Sequence, residues 1–232
     1  MQKMTTSKTA NLIEIIGKNI VKGNFKEGDI FESEHSLCEE FSVSRGVIRE
    51  VLQRLSEKGL IEKRMHSCWR VCSKEEWNIF DDDLIDWCFE DRQNQDLYLQ
   101  FLEFRKEIEP KAIVLATIRA NDKDLDNLRC SLNMMQASVD NQDKFAVADS
   151  FFHQYLFKAT HNNVYAKIGK SISRLLKYSV SRTYRRNEQD MNDTLNTHKE
   201  ILRAIENRDA LLASEIVLKV IFRAIELINK GN

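Results

Sequence analysis

Proline is almost missing from these 232 residues, appearing once at Pro110, and glycine appears only seven times. So few breakers argue against a turn-rich fold and for long helices. Long apolar runs are missing too: nothing approaches the ~18 residues a membrane span needs. The opening MQKMTTSKTA has no apolar signal core, so the chain is expected to be cytoplasmic. Paired cysteines are lacking. Cys38, Cys68, Cys72, Cys88 and Cys130 form an odd, scattered set without a CxxC, which reads as reduced thiols rather than a disulfide framework. A redox role for Cys68 and Cys72 has only their spacing behind it. There is no internal repeat and no low-complexity tract. Strong net charge is absent as well: the total is −1, so the chain as a whole does not advertise nucleic-acid binding.

What is there is a soluble, cored composition, 42% hydrophobic and 31% charged, long enough for two modest domains. The charge is uneven. From Phe41 to Val71 seven bases (Arg45, Arg49, Arg54, Lys58, Lys63, Arg64, Arg70) face three acids (Glu50, Glu57, Glu62), enough local excess to track phosphates. Apolar spacing predicts a helix over Thr9 to Lys22, a short helix capped by Ser33, a tight turn at Ser42 and Val43, and a third helix capped by Ser44. Lys58-Gly59 ends that helix. Two short β pieces follow, Leu60 to Arg64 and Trp69 to Cys72, joined by Met65 to Cys68. The order is that of a winged helix-turn-helix, assigned to residues 1–74. Residues 75–92, rich in tryptophan and aspartate, read as a linker with a short helix from about Asp82. Residues 93–232 read as an all-α antiparallel helical bundle, with helices near 96–120, 122–140, 143–159, 162–185, 190–207 and 209–230. Pro110 is expected to interrupt or kink the first of these.

Arg45 and Arg49 lie four apart, on one face and in the first turns of the Ser44-led helix. A recognition helix presents that end to the major groove, where arginine forks onto guanine, and its positive end favours phosphate. An isolated Arg-x-x-x-Arg is usually a solvated face, but here a capped helix, a turn and a wing stand around it in order. In these residues the chain resembles the GntR family of regulators: Ser33-Glu34, Val43-Ser44-Arg45 and Arg49-Glu50 match its signature. The resemblance implies DNA contacts by Ser44, Arg45 and Arg49, by the helix position held here by His35, and by the wing tip, where His66 stands. His35 replaces the usual arginine, and Met65-His66-Ser67-Cys68 replaces a glycine-rich tip, so the operator is expected to differ from the common one.

In the C-terminal half, Asp149 and His153 share a helix face and His198 lies on a later helix. One carboxylate and two imidazoles suit Zn²⁺ or another divalent ion, although an Asp-x-x-x-His alone is more often a satisfied surface or core pair. Asp149-Ser-Phe-Phe-His153 and His198-Lys-Glu-Ile-Leu-Arg-Ala-Ile205 resemble the two motifs of the FCD ligand-binding domain of the FadR subfamily. That resemblance implies a divalent metal, with Val220 standing where a last histidine ligand is expected. It also implies an effector site, with Arg105 to take a carboxylate and Tyr184 and Thr194 to supply hydroxyls. The competing reading of Arg105 is a structural ion pair with Glu109. The stretch Glu76-Trp-Asn-Ile-Phe-Asp-Asp-Asp-Leu-Ile-Asp-Trp87 is similar to the linker of sugar-acid regulators, implying a small acid such as galactonate as effector.

The expectation is therefore a homodimeric repressor that holds operator DNA and lets go when a small sugar acid or other carboxylate enters the bundle. Two alternatives stand beside it: a DNA-binding dimer with no effector, and a metal-dependent enzyme built on Asp149, His153 and His198. No nucleophile or general-base motif accompanies the trio.

Overall fold

The computed structural model describes residues 2–31, 33–64, 68–90, 94–183 and 188–230. The chain divides into two compact units, Met1–Gln93 and Asn94–Asn232.

In the first unit, α1 (Gln2–Val21) packs on α3 (Arg45–Glu57), and α2 (Glu34–Phe41) lies against α3. Ser33 Oγ accepts from Ser36 N and Ser44 Oγ from Val47 N, the expected caps on α2 and α3. The turn between them is closed by Ser42, which adopts a left-handed conformation with φ 50° and ends α2. Val47, Ile48, Val51, Leu52 and Leu55 form the buried face of α3. At about 1.5–3 kcal/mol for each fully buried aliphatic side chain, this face anchors α3 and leaves its charged face for other duty. Strands β1 (Ile61–Lys63) and β2 (Trp69–Val71) pair antiparallel, Ile61 opposite Val71. Phe31 N donates to the Trp69 carbonyl and Val71 N to that of Asp29, so residues 29–31 edge the hairpin. The wing tip, and with it His66, lies outside the described residues.

The segment after the wing packs within this unit. Lys58, at the C-terminal end of α3, is buried. Its Nζ lies 2.7 Å from both Asp81 and Asp83 and over the Trp87 ring. Burial opposes its charge, but the two aspartates outweigh that cost and raise its pKa. Asn78 N donates to the Lys58 carbonyl. Gly59, at φ 73°, faces the Glu76 carbonyl so closely that a Cβ would sit 2.1 Å from that oxygen. Helix α4 (Asp82–Glu90) brings Trp87 against Gly17 of α1, where a Cβ would stand 2.2 Å from the ring, and Glu90 pairs with Lys18.

The second unit is built from α5 (Gln95–Arg119), α6 (Asp122–Gln136), α7 (Gln142–Lys158), α8 (Asn163–Thr183), α9 (Glu188–Glu206) and α10 (Ala210–Lys230). Pro110 does not interrupt α5, contrary to one reading of the sequence. An internal proline costs about 3 kcal/mol by removing a donor and crowding the preceding turn. Here Ala112, Ile113 and Ala116, all buried just after it, supply packing that offsets this cost. Asn121 and Asp124 form a capping box on α6, and the Asn141 side chain caps α7. Arg208, in the α9–α10 turn, donates to the Thr117 and Ala120 carbonyls at the end of α5. Among the described residues, no helix is long and apolar enough to cross a membrane.

Candidate DNA-reading face and candidate sensor site

Arg45 opens α3 and Arg49 follows one turn later; both are exposed, on the side away from the buried face. Arg49 Nε donates to Glu34 Oε2 at 2.8 Å across from α2, and that hydrogen bond raises its pKa. Arg45 makes no ion pair among the described residues. Ser44 and His35 are exposed beside them; His35 Nε2 lies 3.6 Å from Glu39. The basic excess counted from the sequence overstates what this face offers. Lys58 is spent on Asp81 and Asp83, Arg64 and Arg70 both lean on Glu62, and Arg54 pairs with Glu57. Glu34 stands in the sequence as the acidic start of the second helix, without a partner. Its place at the start of α2, level with Arg49 in the folded unit, shows only when the two helices are packed.

In the second unit α7 and α9 bring the expected trio together. The ligand-type atoms of Asp149, His153 and His198 lie within 4.8 Å of one another, and all three residues are buried. His198 Nε2 is 2.9 Å from Asp149 Oδ1 and 3.4 Å from His153 Nε2. His198 Nδ1 faces the Thr194 carbonyl at 2.8 Å, one helical turn back. Burial works against charge on each of the three. For Asp149 the nearness of His198 wins, and its pKa falls; for His198 the nearness of Asp149 wins, and its pKa rises. For His153 burial wins and its pKa falls.

The donor set fits a cation. At 2.9 Å the Asp149–His198 contact is in ion-pair range, and Asp149 Oδ1 is buried without a hydrogen-bond partner among the described residues. With Nδ1–H of His198 given to Thr194, its neutral form turns a lone pair toward that oxygen and toward His153 Nε2. Three acceptors then converge with nothing positive between them, an arrangement that a metal ion or a proton must compensate. Val220, on α10, offers no ligand atom.

Arg105 of α5 is buried and its guanidinium is taken up by Glu109: Nε to Oε1 at 2.5 Å and Nη2 to Oε2 at 3.4 Å. Burial opposes the charge on Arg105, but Glu109 more than restores it and raises the pKa. The Thr194 hydroxyl donates to the Asp190 carbonyl on its own helix, and its carbonyl faces His198 Nδ1. Tyr184 lies outside the described residues. Glu109 drew notice in the sequence only as a partner of Arg105. Its second neighbour is His153, whose Nδ1 is 3.6 Å from Glu109 Oε2, a contact between helices that no local spacing reveals.

Residues 8–71 match the bacterial regulatory proteins of the gntR family, and residues 100–222 match the FCD domain. The chain belongs to the gntR family. This GntR regulator is 33% identical, over 94% of its length and 95% of the relative's, to the galactonate operon transcriptional repressor of Escherichia coli (strain K12). It is 26% identical, over 90% of its length and 77% of the relative's, to the Uxu operon regulator of Haemophilus influenzae. These relatives are regulators of transcription, and this chain is a DNA-binding transcription regulator rather than an enzyme. Among solved structures, that of Lar, described as controlling the expression of the Listeria monocytogenes agr system, aligns over 97% of both chains. At 16% identity and a TM-score of 0.71 it speaks for the fold alone.

Proposed function

We propose that this regulator is a cytoplasmic homodimeric repressor of a sugar-acid catabolic operon, released from its operator when a small carboxylate such as galactonate enters the helical bundle. The observation that carries the DNA half is the Ser44-capped start of α3, which leaves Arg45 and Arg49 exposed on the face opposite its buried residues. Ser44 and His35 flank them and would add phosphate contacts, and His66 would do the same from the wing tip. Two copies would set two such helices about one DNA turn apart. The exposed Leu211 and Phe222 of α10 are apolar surface that a second copy would cover.

The effector half rests on the buried trio. Asp149, His153 and His198 would hold a divalent ion, Zn²⁺ by the chemistry of the set, and a bound ion would offer Lewis-acid positions to a sugar acid's oxygens. With three protein ligands, positions remain for effector and water, as expected where Val220 supplies none. Arg105 remains the cation nearest in kind to a carboxylate clamp. It starts out held by Glu109, so an incoming acid would share or replace that partner. Galactonate is the first acid to try because the galactonate operon repressor is similar over nearly the whole chain.

The test is fluorescence anisotropy with duplex DNA from the gene's own neighbourhood at low salt, with and without aldonates, uronates and Zn²⁺. Tight, sequence-specific binding relieved by one acid supports the reading. Indifference to that DNA at low salt would overturn it. Specific binding unmoved by every acid would leave a dimer without an effector.

A further inference from the structure

The trio has a fourth partner one layer out. Glu109 is buried, with one carboxylate oxygen bound to Arg105 Nε and the other 3.6 Å from His153 Nδ1. That ring nitrogen is itself buried and has no hydrogen-bond partner. The opposite nitrogen, Nε2, faces His198 Nε2 at 3.4 Å and Asp149 Oδ1 at 3.9 Å. A neutral imidazole carries its hydrogen on one nitrogen only. On Nδ1 the hydrogen points at a carboxylate, and the Nε2 lone pair joins the acceptor face of the site. On Nε2 it would leave the Nδ1 lone pair facing the negative Glu109 in a buried setting, which is repulsive.

We propose that Glu109 is a positioning residue of the sensor site: it fixes His153 with Nδ1 protonated, so that Nε2 is presented as a metal ligand beside His198 and Asp149. His198 is set in the same way by the Thr194 carbonyl on its own Nδ1. Both imidazoles are thus gripped from behind and offer the same atom forward, as metal-bound histidines do when an outer carboxylate or carbonyl orients them. Arg105 completes the chain by holding Glu109 in place. This rests on the reading of the trio as a cation site.

The experiment uses the full-length protein labelled with ¹⁵N. Histidine ring nitrogens are read in the metal-free state, and zinc affinity is measured by chelator competition. Metal-free wild type is expected to show His153 protonated on Nδ1. Glu109→Gln, which keeps the shape and loses the charge, is expected to bind zinc about ten-fold more weakly. The double variant Arg105→Met/Glu109→Leu removes one charge of each sign and leaves no buried ion behind. It is expected to keep its melting transition, lose about 10- to 100-fold in zinc affinity, and show His153 released from the Nδ1–H form. A His153 protonated on Nε2 in wild type, or zinc affinity within about two-fold of wild type in both variants, overturns the proposal. Wild type that takes up no zinc overturns the cation reading itself, and with it the proposed use of His153, whatever its tautomer.

Discussion

The two candidate sites use the same helical spacing to opposite ends. Arg45 and Arg49 stand four apart on α3, and so do Asp149 and His153 on α7. In the first unit the pair is exposed and its helix is held by other residues, the apolar face from Val47 to Leu55. In the second the pair is buried and packed among other polar groups: Asp149 lies beside His198, and Glu109, next to His153, is paired with Arg105. The lesson concerns what can be removed. Exposed charges can be cut away at the expense of binding alone, whereas buried ones are coupled to stability and to one another. The candidate recognition site is separable from its scaffold; the candidate sensor site is part of its scaffold.

The sharpest way to break that contrast is at Glu109. Glu109→Leu leaves the Arg105 guanidinium buried, charged and unpaired, and arginine cannot shed its proton to escape. The expected loss is about 3–5 kcal/mol, read as a lower melting temperature of the helical unit. Adding Arg105→Met removes the stranded charge, and most of the loss is expected to return. A single variant as stable as wild type would mean that this ion pair is not part of the scaffold.

At the other site the expected outcome is reversed. Arg45→Ala and Arg49→Ala are each expected to weaken operator binding by about 10- to 100-fold and to leave the melting temperature within experimental error. Glu34→Ala should resemble a mild form of Arg49→Ala if the Glu34 hydrogen bond aims that guanidinium. Specific binding retained by both arginine variants would remove the assignment of the reading face to the start of α3. Smaller again is Ser44→Ala. The cap bond to Val47 N is long, 3.5 Å, so the expected stability loss is at the low end, about 0.5–1 kcal/mol. A larger fall in DNA affinity than in stability would mark the Ser44 hydroxyl as a phosphate contact as well as a cap.

How much of this was legible beforehand follows the same division. The reading face depends on local spacing, a cap and a turn, and Ser33, Ser42, Ser44, Arg45 and Arg49 all stand where the sequence put them. The trio was legible in part: spacing places Asp149 with His153, and His198 joined them as a second imidazole on a later helix, supported by resemblance to a known motif. Three things were hidden. Lys58 is a base in the sequence but a buried clasp for Asp81 and Asp83 in the fold. Glu109 reaches His153 across two helices. Pro110 sits inside an unbroken helix because burial around it outweighs its local cost. The first two are contacts between segments far apart in the chain and the third depends on burial in the folded bundle, whereas composition and periodicity register only what lies within a few residues.

The cysteines give the same contrast a measure that leaves Arg45, Arg49 and the buried trio unmodified. Cys130 on α6 and Cys68 beside the wing are exposed, whereas Cys88 is buried in α4. Burial pushes the Cys88 thiol up to about 12, with Lys74 pulling only weakly the other way, so near pH 8 almost none of it is thiolate, the form that reacts. Brief iodoacetamide treatment of the folded protein at that pH is therefore expected to label Cys68 and Cys130 and to spare Cys88, as read by peptide mass spectrometry. Labelled protein should keep its fold, since neither exposed thiol is packed in a core. Rapid labelling of Cys88 would mean that α4 leaves its seat beside α1, and that the segment clasped by Lys58 opens readily in solution.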